Sequence, residues 1–217
     1  MMWYDMKIAC NTPAFAVAFV LALAASAVPS RAQNNALRDG GFESAPFASW
    51  TFSHGGQGGG GSGANVGAPT VGAHEGKISA WLETEPATQS GAVAWASVSQ
   101  QISIESPANL RIAAWICGEY VSPTTNATVQ LRVEYFEDAL CAVPLSNHIR
   151  MTSDLALARL PAGKWTVLDL SDRAPEGART ARISIVLQAH GPAVGRQRVW
   201  VDDVSLVLTP EPSLRKR

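Results

Sequence analysis

The residues best suited to chemistry in this chain are aromatic and planar polar side chains on segments that alternate between apolar and polar positions. Trp81, Trp95 and Trp115 stand on the polar side of such segments. Arg111, Gln130, Arg132, Glu134, Gln188 and His190 occupy the polar sides of the same or similar segments. A tryptophan on a wet face offers a flat apolar ring to a ligand, and Arg, Gln or Glu beside it offers directed hydrogen bonds. The competing reading of each tryptophan is partial burial under a loop, and of each charged side chain plain solvation. Nucleophilic chemistry has no matching pattern: there is no Gly-x-Ser-x-Gly elbow. There is also no CxxC or Cys/His spacing suited to zinc. The paired acids Glu134 and Glu137 read as a strand face and its turn.

The elements that must position these residues are strands. Lys77–Glu83 sets Ile78, Ala80 and Leu82 against Lys77, Ser79, Trp81 and Glu83. Ala92–Ile104 sets Ala94, Ala96 and Val98 against Trp95, Ser97 and Ser99. Asn109–Glu119, Thr128–Phe136 and Ala181–Ala189 alternate in the same way, and Ser49–His54, Lys164–Leu170 and Gln197–Leu208 add further candidates. A period of two bounded by Gly, Pro, Ser and Asn specifies half-buried strands. Eight or nine of them without intervening helices imply an all-β sandwich. Residues 146–161 fit no strand pattern and read as a long loop or a short helix. The segment Gly55–Gly63 holds seven glycines in nine positions. It lacks the lysine and following helix of a phosphate-binding loop. It reads as a surface loop, either merely flexible or able to close over a ligand.

Composition narrows the setting. The chain has 217 residues and a formal net charge of −1, which argues against a nucleic-acid binder. Its 47% hydrophobic content and seven tryptophans exclude a disordered chain. Lys7 precedes an apolar run over residues 14–25, and Ser30-Arg31-Ala32 fits a small-x-small cleavage site. Residues 1–32 therefore read as a signal peptide, with an uncleaved membrane anchor as the alternative, and residues 33–217 as a single exported domain with no membrane span. Cleavage leaves Cys117 and Cys141, which in an oxidising compartment either pair or remain half-buried thiols.

Several stretches together resemble a known family. Leu37-Arg38-Asp39-Gly40-Gly41-Phe42-Glu43 and Trp50 lie near the start, and Val199-Trp200-Val201-Asp202-Asp203-Val204-Ser205-Leu206 lies near the end. Between them come Gly76-Lys77-Ile78-Ser79 and Gly163-Lys164-Trp165. This order resembles the jelly-roll carbohydrate-binding modules attached to xylanases and cellulases, within the galactose-binding-like superfamily. The resemblance runs from about Leu37 to Leu208 and implies a jelly-roll β-sandwich of two antiparallel sheets. It also implies a structural calcium held by Glu43, Asp202 and Asp203, completed around Glu75 and Lys77 by main-chain oxygens. In a jelly roll the first and last strands can lie side by side, so these acids can converge, and close carboxylates repel unless a cation separates them. The alternative is that they cap strand ends and bind only water.

The resemblance implies a polysaccharide or oligosaccharide ligand stacked on the wet-face tryptophans, without catalysis. Trp50 and Trp165 read as core and sandwich-edge residues, and Trp200 is open. A cell-surface or matrix protein using the same fold to contact other proteins is the second reading. A third is a polysaccharide lyase, since Arg132-Val133-Glu134 and Gln188-Ala189-His190 superficially resemble lyase motifs. Such enzymes also use a tyrosine to exchange protons, and residues 191–208 contain none.

Overall fold

The computed structural model describes residues 35–57, 61–85, 91–105, 107–119, 126–152, 154–191 and 195–210. All of them fall in one unit, Gln33–Arg217. The signal peptide expected over residues 1–32 lies outside the described residues. No helix among the described residues is long and apolar enough to cross a membrane.

The alternating segments form strands. In chain order they are β1 (Thr51–Gln57), β2 (Gly61–Gly67), β3 (Ser79–Glu85), β4 (Val93–Ser103), β5 (Ala108–Gly118) and β6 (Thr128–Phe136). Then come β7 (Pro144–Met151), β8 (Leu155–Ala156), β9 (Thr166–Arg173), β10 (Thr180–His190) and β11 (Gln197–Pro210). One sheet has the order β1-β4-β10-β6-β7, with β8 also paired to β6, and the other has the order β2-β3-β11-β5-β9. Every pairing is antiparallel. The fold is thus all-β, a sandwich of two antiparallel sheets, as the alternation requires.

The core lies between the sheets. Val98, Leu131, Val133, Ile183, Ile185 and Leu187 come from the first sheet, and Leu82, Ile112, Ile116, Val199, Val201 and Leu206 from the second. Burying each such side chain contributes about 1.5–3 kcal/mol. Trp50 is buried against Phe42, their ring centroids 4.9 Å apart, as its core reading anticipates. Tyr135 bridges the sheets, its hydroxyl donating to Asp172 Oδ2 of β9 at 2.8 Å.

Two expectations are corrected. The glycine-rich stretch 55–63 is not a loop throughout: Gly55–Gln57 finish β1 in one sheet and Gly61–Gly63 begin β2 in the other. Position 55 faces Trp95 and position 63 faces Trp81, and a Cβ at either would lie 3.1–3.2 Å from the indole. Glycine there gives the rings room, while main-chain pairing holds the strands. Residues 146–161, read as a loop or helix, instead continue β7 to Met151, form β8 and make one 3-10 turn, Leu157–Arg159. Cys117 and Cys141 are both free and buried, one in β5 and the other in the turn after β6 of the opposite sheet.

The segment 36–40 lies against β11. The Ala36 amide donates to Leu206 O and the Val204 amide to Gly40 O, both at 2.9 Å. A Cβ at position 40 would lie 2.0 Å from Val204 O, so this approach requires glycine.

Candidate functional site

The first sheet's outer face carries an open cleft of about 540 Å³. Cross-strand register builds it row by row. Trp95 and Gln188 share one row, and Ser53, Ser97 and Val186 the next. Thr51, Ser99, Ser184 and Arg132 follow, then Gln101, Arg182 and Glu134. Trp95 is 36% exposed. At the other end Glu134 stands between two guanidiniums, its Oε1 4.0 Å from Arg132 Nη1 and its Oε2 3.5 Å from Arg182 Nη1. Arg182 also lies 4.9 Å over the Phe136 ring. The rim strand β7 adds Ile149 and Met151, both about half exposed, opposite Glu134 and Arg132.

Of the nine ligand candidates read from the sequence, Trp95, Arg132, Glu134 and Gln188 line this cleft. Gln130 and His190 belong to the same face but do not line it. Gln130 is buried and its amide binds the Asp154 carboxylate, whereas His190 is exposed at the end of β10 with its ring 3.2 Å from the Gln188 amide. Trp81, Trp115 and Arg111 face the other way, on the outer side of the second sheet. The three candidate tryptophans thus divide between two faces, Trp95 in the cleft and Trp81 and Trp115 on the outer side of the second sheet. Arg198 covers Trp81 at 5.2 Å from the ring centroid, and His74 stacks on Trp115 at 4.0 Å. Trp165, half-buried, packs edge-on against that histidine, and Trp200 is buried with its Nε1 donating to Glu119.

Sequence reasoning missed Arg182, Ser184, Ser97, Ser99 and Gln101. They lie on the wet sides of strands already identified. Their importance follows from β10 lying between β4 and β6, which one strand's pattern does not encode. The lyase-like pairs share this face but stay apart. Arg132 is level with Ser184 and Gln188 is four residues further along β10, about 13 Å at strand spacing.

The acids expected to hold calcium gather where residues 36–43 meet β11. β11 carries an irregularity between Asp202 and Ser205, and Asp203 has φ 43°, in the left-handed region. This breaks the alternation, so that two consecutive carboxylates reach one space. A Cβ at Gly41 would lie 3.4 Å from Asp203 Oδ1, 3.9 Å from Asp202 Oδ1 and 4.0 Å from Glu43 Cγ, so the missing side chain leaves a cradle among the three acids. One oxygen of the nearby Asp39 is buried without a partner.

Donors surround the same acids. The Lys77 and Ile78 amides donate to Glu43 Oε1 at 2.6 and 2.8 Å, which holds the Glu43 carboxyl below its ordinary range. Lys77 therefore meets this group through its amide nitrogen. Asp202 Oδ2 accepts from the His74 amide and the Ser79 hydroxyl, and Oδ1 accepts from the Asp203 amide. Burial nevertheless pushes the Asp202 carboxyl up to about 6, against these hydrogen bonds and with the help of the neighbouring Asp203 charge. Asp203 Oδ2 lies 2.6 Å from His74 Nδ1. Glu75, expected beside calcium, groups with His74 and with Asp203, one of the expected calcium acids, one donor atom of each lying within 4.8 Å of the others. The oxygen set of Glu43, Asp202 and Asp203 fits a hard cation such as calcium, and the histidine beside it does not.

No family model and no curated protein matches the chain. Solved structures do match its fold. A CBM61 module in complex with β-1,4-galactotriose superposes with a TM-score of 0.51 at 18% identity, covering 80% of this chain and 97% of that one. A carbohydrate-binding module of the β-sandwich superfamily gives a TM-score of 0.56 at 15% identity, covering 81% and 62%. The enzymatically active domain of tailspike protein 4 from bacteriophage CBA120 gives 0.54 at 20% identity, covering 80% of this chain but spanning only 21% of the tailspike chain. The chain therefore has the jelly-roll β-sandwich fold of carbohydrate-binding modules.

Proposed function

We propose that this protein is a secreted, non-catalytic carbohydrate-binding protein that holds a polysaccharide in the first sheet's cleft. One observation carries the reading. An exposed tryptophan, Trp95, stands at one end of an open, mostly polar cleft on a sheet face. Sugars present apolar C–H faces ringed by hydroxyls, which suits an indole beside rows of serine, glutamine and arginine. The bound ligand of the CBM61 structure supports the same class of partner. The separation of Arg132 from Gln188 and His190 supports binding without lyase chemistry. Export rests on the leader pattern at residues 1–32.

A structural calcium belongs to the same proposal. Glu43, Asp202 and Asp203 would hold it around the Gly41 cradle, tying the start of the domain to β11. Its contribution would be charge neutralisation where three carboxylates meet.

The cleft is tested with purified residues 33–217 in affinity electrophoresis against soluble plant and bacterial polysaccharides. Retardation by at least one glycan is expected, and Trp95→Ala should weaken it. No retardation by any glycan, with tryptophan fluorescence unchanged, would reject the sugar reading in favour of a protein partner.

A further inference from the structure

The Arg132 end of the cleft is electrostatically unfinished. Arg132 Nε is buried and has no hydrogen-bond partner among the described residues. Its Nη2 donates to Gln130 Oε1 at 3.4 Å and its Nη1 stands 4.0 Å from Glu134 Oε1, both long for hydrogen bonds. Arg182 reaches the other Glu134 oxygen at 3.5 Å. Two guanidiniums therefore share one carboxylate at long range, and no other acid lines the cleft. The excess is local, because the whole chain carries a net charge of −1.

The Nη atoms of Arg132 and Arg182, both partly exposed, present two positive charges around one carboxylate, and the planar fork of arginine matches a two-oxygen anion better than a neutral hydroxyl. Ser184 and Ser99 lie in the same row as Arg132 and can hydrogen-bond a sugar's remaining hydroxyls. Trp95 lies four residues away along the strands, about 13 Å, so the stacked sugar and the charged group belong to different units of one chain.

We infer that the Arg132 end of the cleft receives an anionic substituent of the glycan, a uronate carboxylate or a sulfate ester. This deepens the proposed function and rests on it. The preferred ligand is an acidic polysaccharide bound by a neutral stacking contact at Trp95 and a charged contact at Arg132. Glu134 then positions both guanidiniums and repels anions that approach off-register.

The test measures retardation and titration calorimetry against polygalacturonate, alginate, hyaluronan and glucuronoxylan, each beside its carboxyl-reduced form, and against chondroitin sulfate beside its desulfated form. At least one charged polymer should bind about tenfold tighter than its uncharged counterpart and lose that margin in high salt. Arg132→Gln should abolish the margin, bringing the charged form down to the affinity of the uncharged one, whereas Trp95→Ala should weaken both forms and keep the margin. The arm that carries the margin distinguishes carboxylate from sulfate. Equal or tighter binding of the uncharged forms overturns the inference while leaving the sugar reading intact, and an Arg132→Gln variant that keeps the margin overturns it too. Failure of every polymer, charged or not, rejects both together. Circular dichroism and melting of the variants check that each is folded.

Discussion

The indole of Trp95 lies against the bare backbone of Gly55, its cross-strand partner, so that a Cβ at position 55 would stand 3.1 Å from Trp95 Cζ2. The glycine seats one side of the ring and leaves the other open to the cleft. Substitution of Gly55 by valine, which suits an edge strand, should tilt the ring without unfolding the sheet. The expected result is a roughly fivefold loss of glycan affinity, about 1 kcal/mol, approaching that of Trp95→Ala. Melting temperature should change little. Wild-type affinity in both variants would remove Trp95 from the site.

Calcium should raise the melting temperature. A ligand bound only by the native state at a hundredfold its dissociation constant adds about 2.7 kcal/mol, roughly 5–10 °C for a domain of this size. Chelator should reverse the rise. Asp203→Asn removes a charge and Gly41→Val fills the cradle, and either should abolish the response. A wild-type curve indifferent to calcium and chelator would mean that these acids only cap strand ends and bind water.

Tyr135 should remain un-ionised in the folded protein well beyond the usual phenol range. Burial is the main cause, and the hydrogen bond to Asp172 adds to it. Because the folded pKa is raised, this group's contribution to stability is fully present below pH 10 and is lost as pH rises above it. Denaturant midpoints should therefore fall from about pH 10 upward. Tyr135→Phe should flatten that fall while lowering neutral-pH stability by about 1–2 kcal/mol. An unchanged alkaline slope in the variant would contradict the assignment.

Asp138 organises the turn that covers Cys141. Its carboxylate accepts the amides of Leu140, Ala142 and Val143, and these bonds, Ala142 foremost, hold its pKa below the ordinary carboxylate value. Asp138→Ala should loosen the turn and speed maleimide labelling of Cys141 severalfold. Cys117, fully buried in β5, should stay protected in both proteins. Mass spectrometry of the labelled peptides separates the two sites. Equal labelling rates at Cys141 would show that the turn does not depend on the carboxylate.

The core was legible in the sequence because burial imposes a period of two on each strand. Val129, Leu131, Val133 and Tyr135 read as inward, and they are. The glycine-rich stretch misread for a physical reason. Its strand character comes from pairing with β4 and β3, and glycine carries no side-chain signal of that pairing. The acids at Glu43, Asp202 and Asp203 were visible as a pair of end motifs. The irregularity that turns two consecutive aspartates into one space was not, since it depends on a left-handed residue within β11.

By itself the sequence determined that the chain is a β-sandwich with tryptophans and charges on its wet faces. Alternation is local, and each strand reports its own two sides. Only the tertiary structure decided which wet sides are the same side. Strand order sends Trp81, Trp115 and Arg111 to one face and Trp95, Arg132 and Glu134 to the other, and it inserts Arg182 between them. That partition depends on hydrogen-bonded pairings between strands distant in sequence, which no single segment encodes.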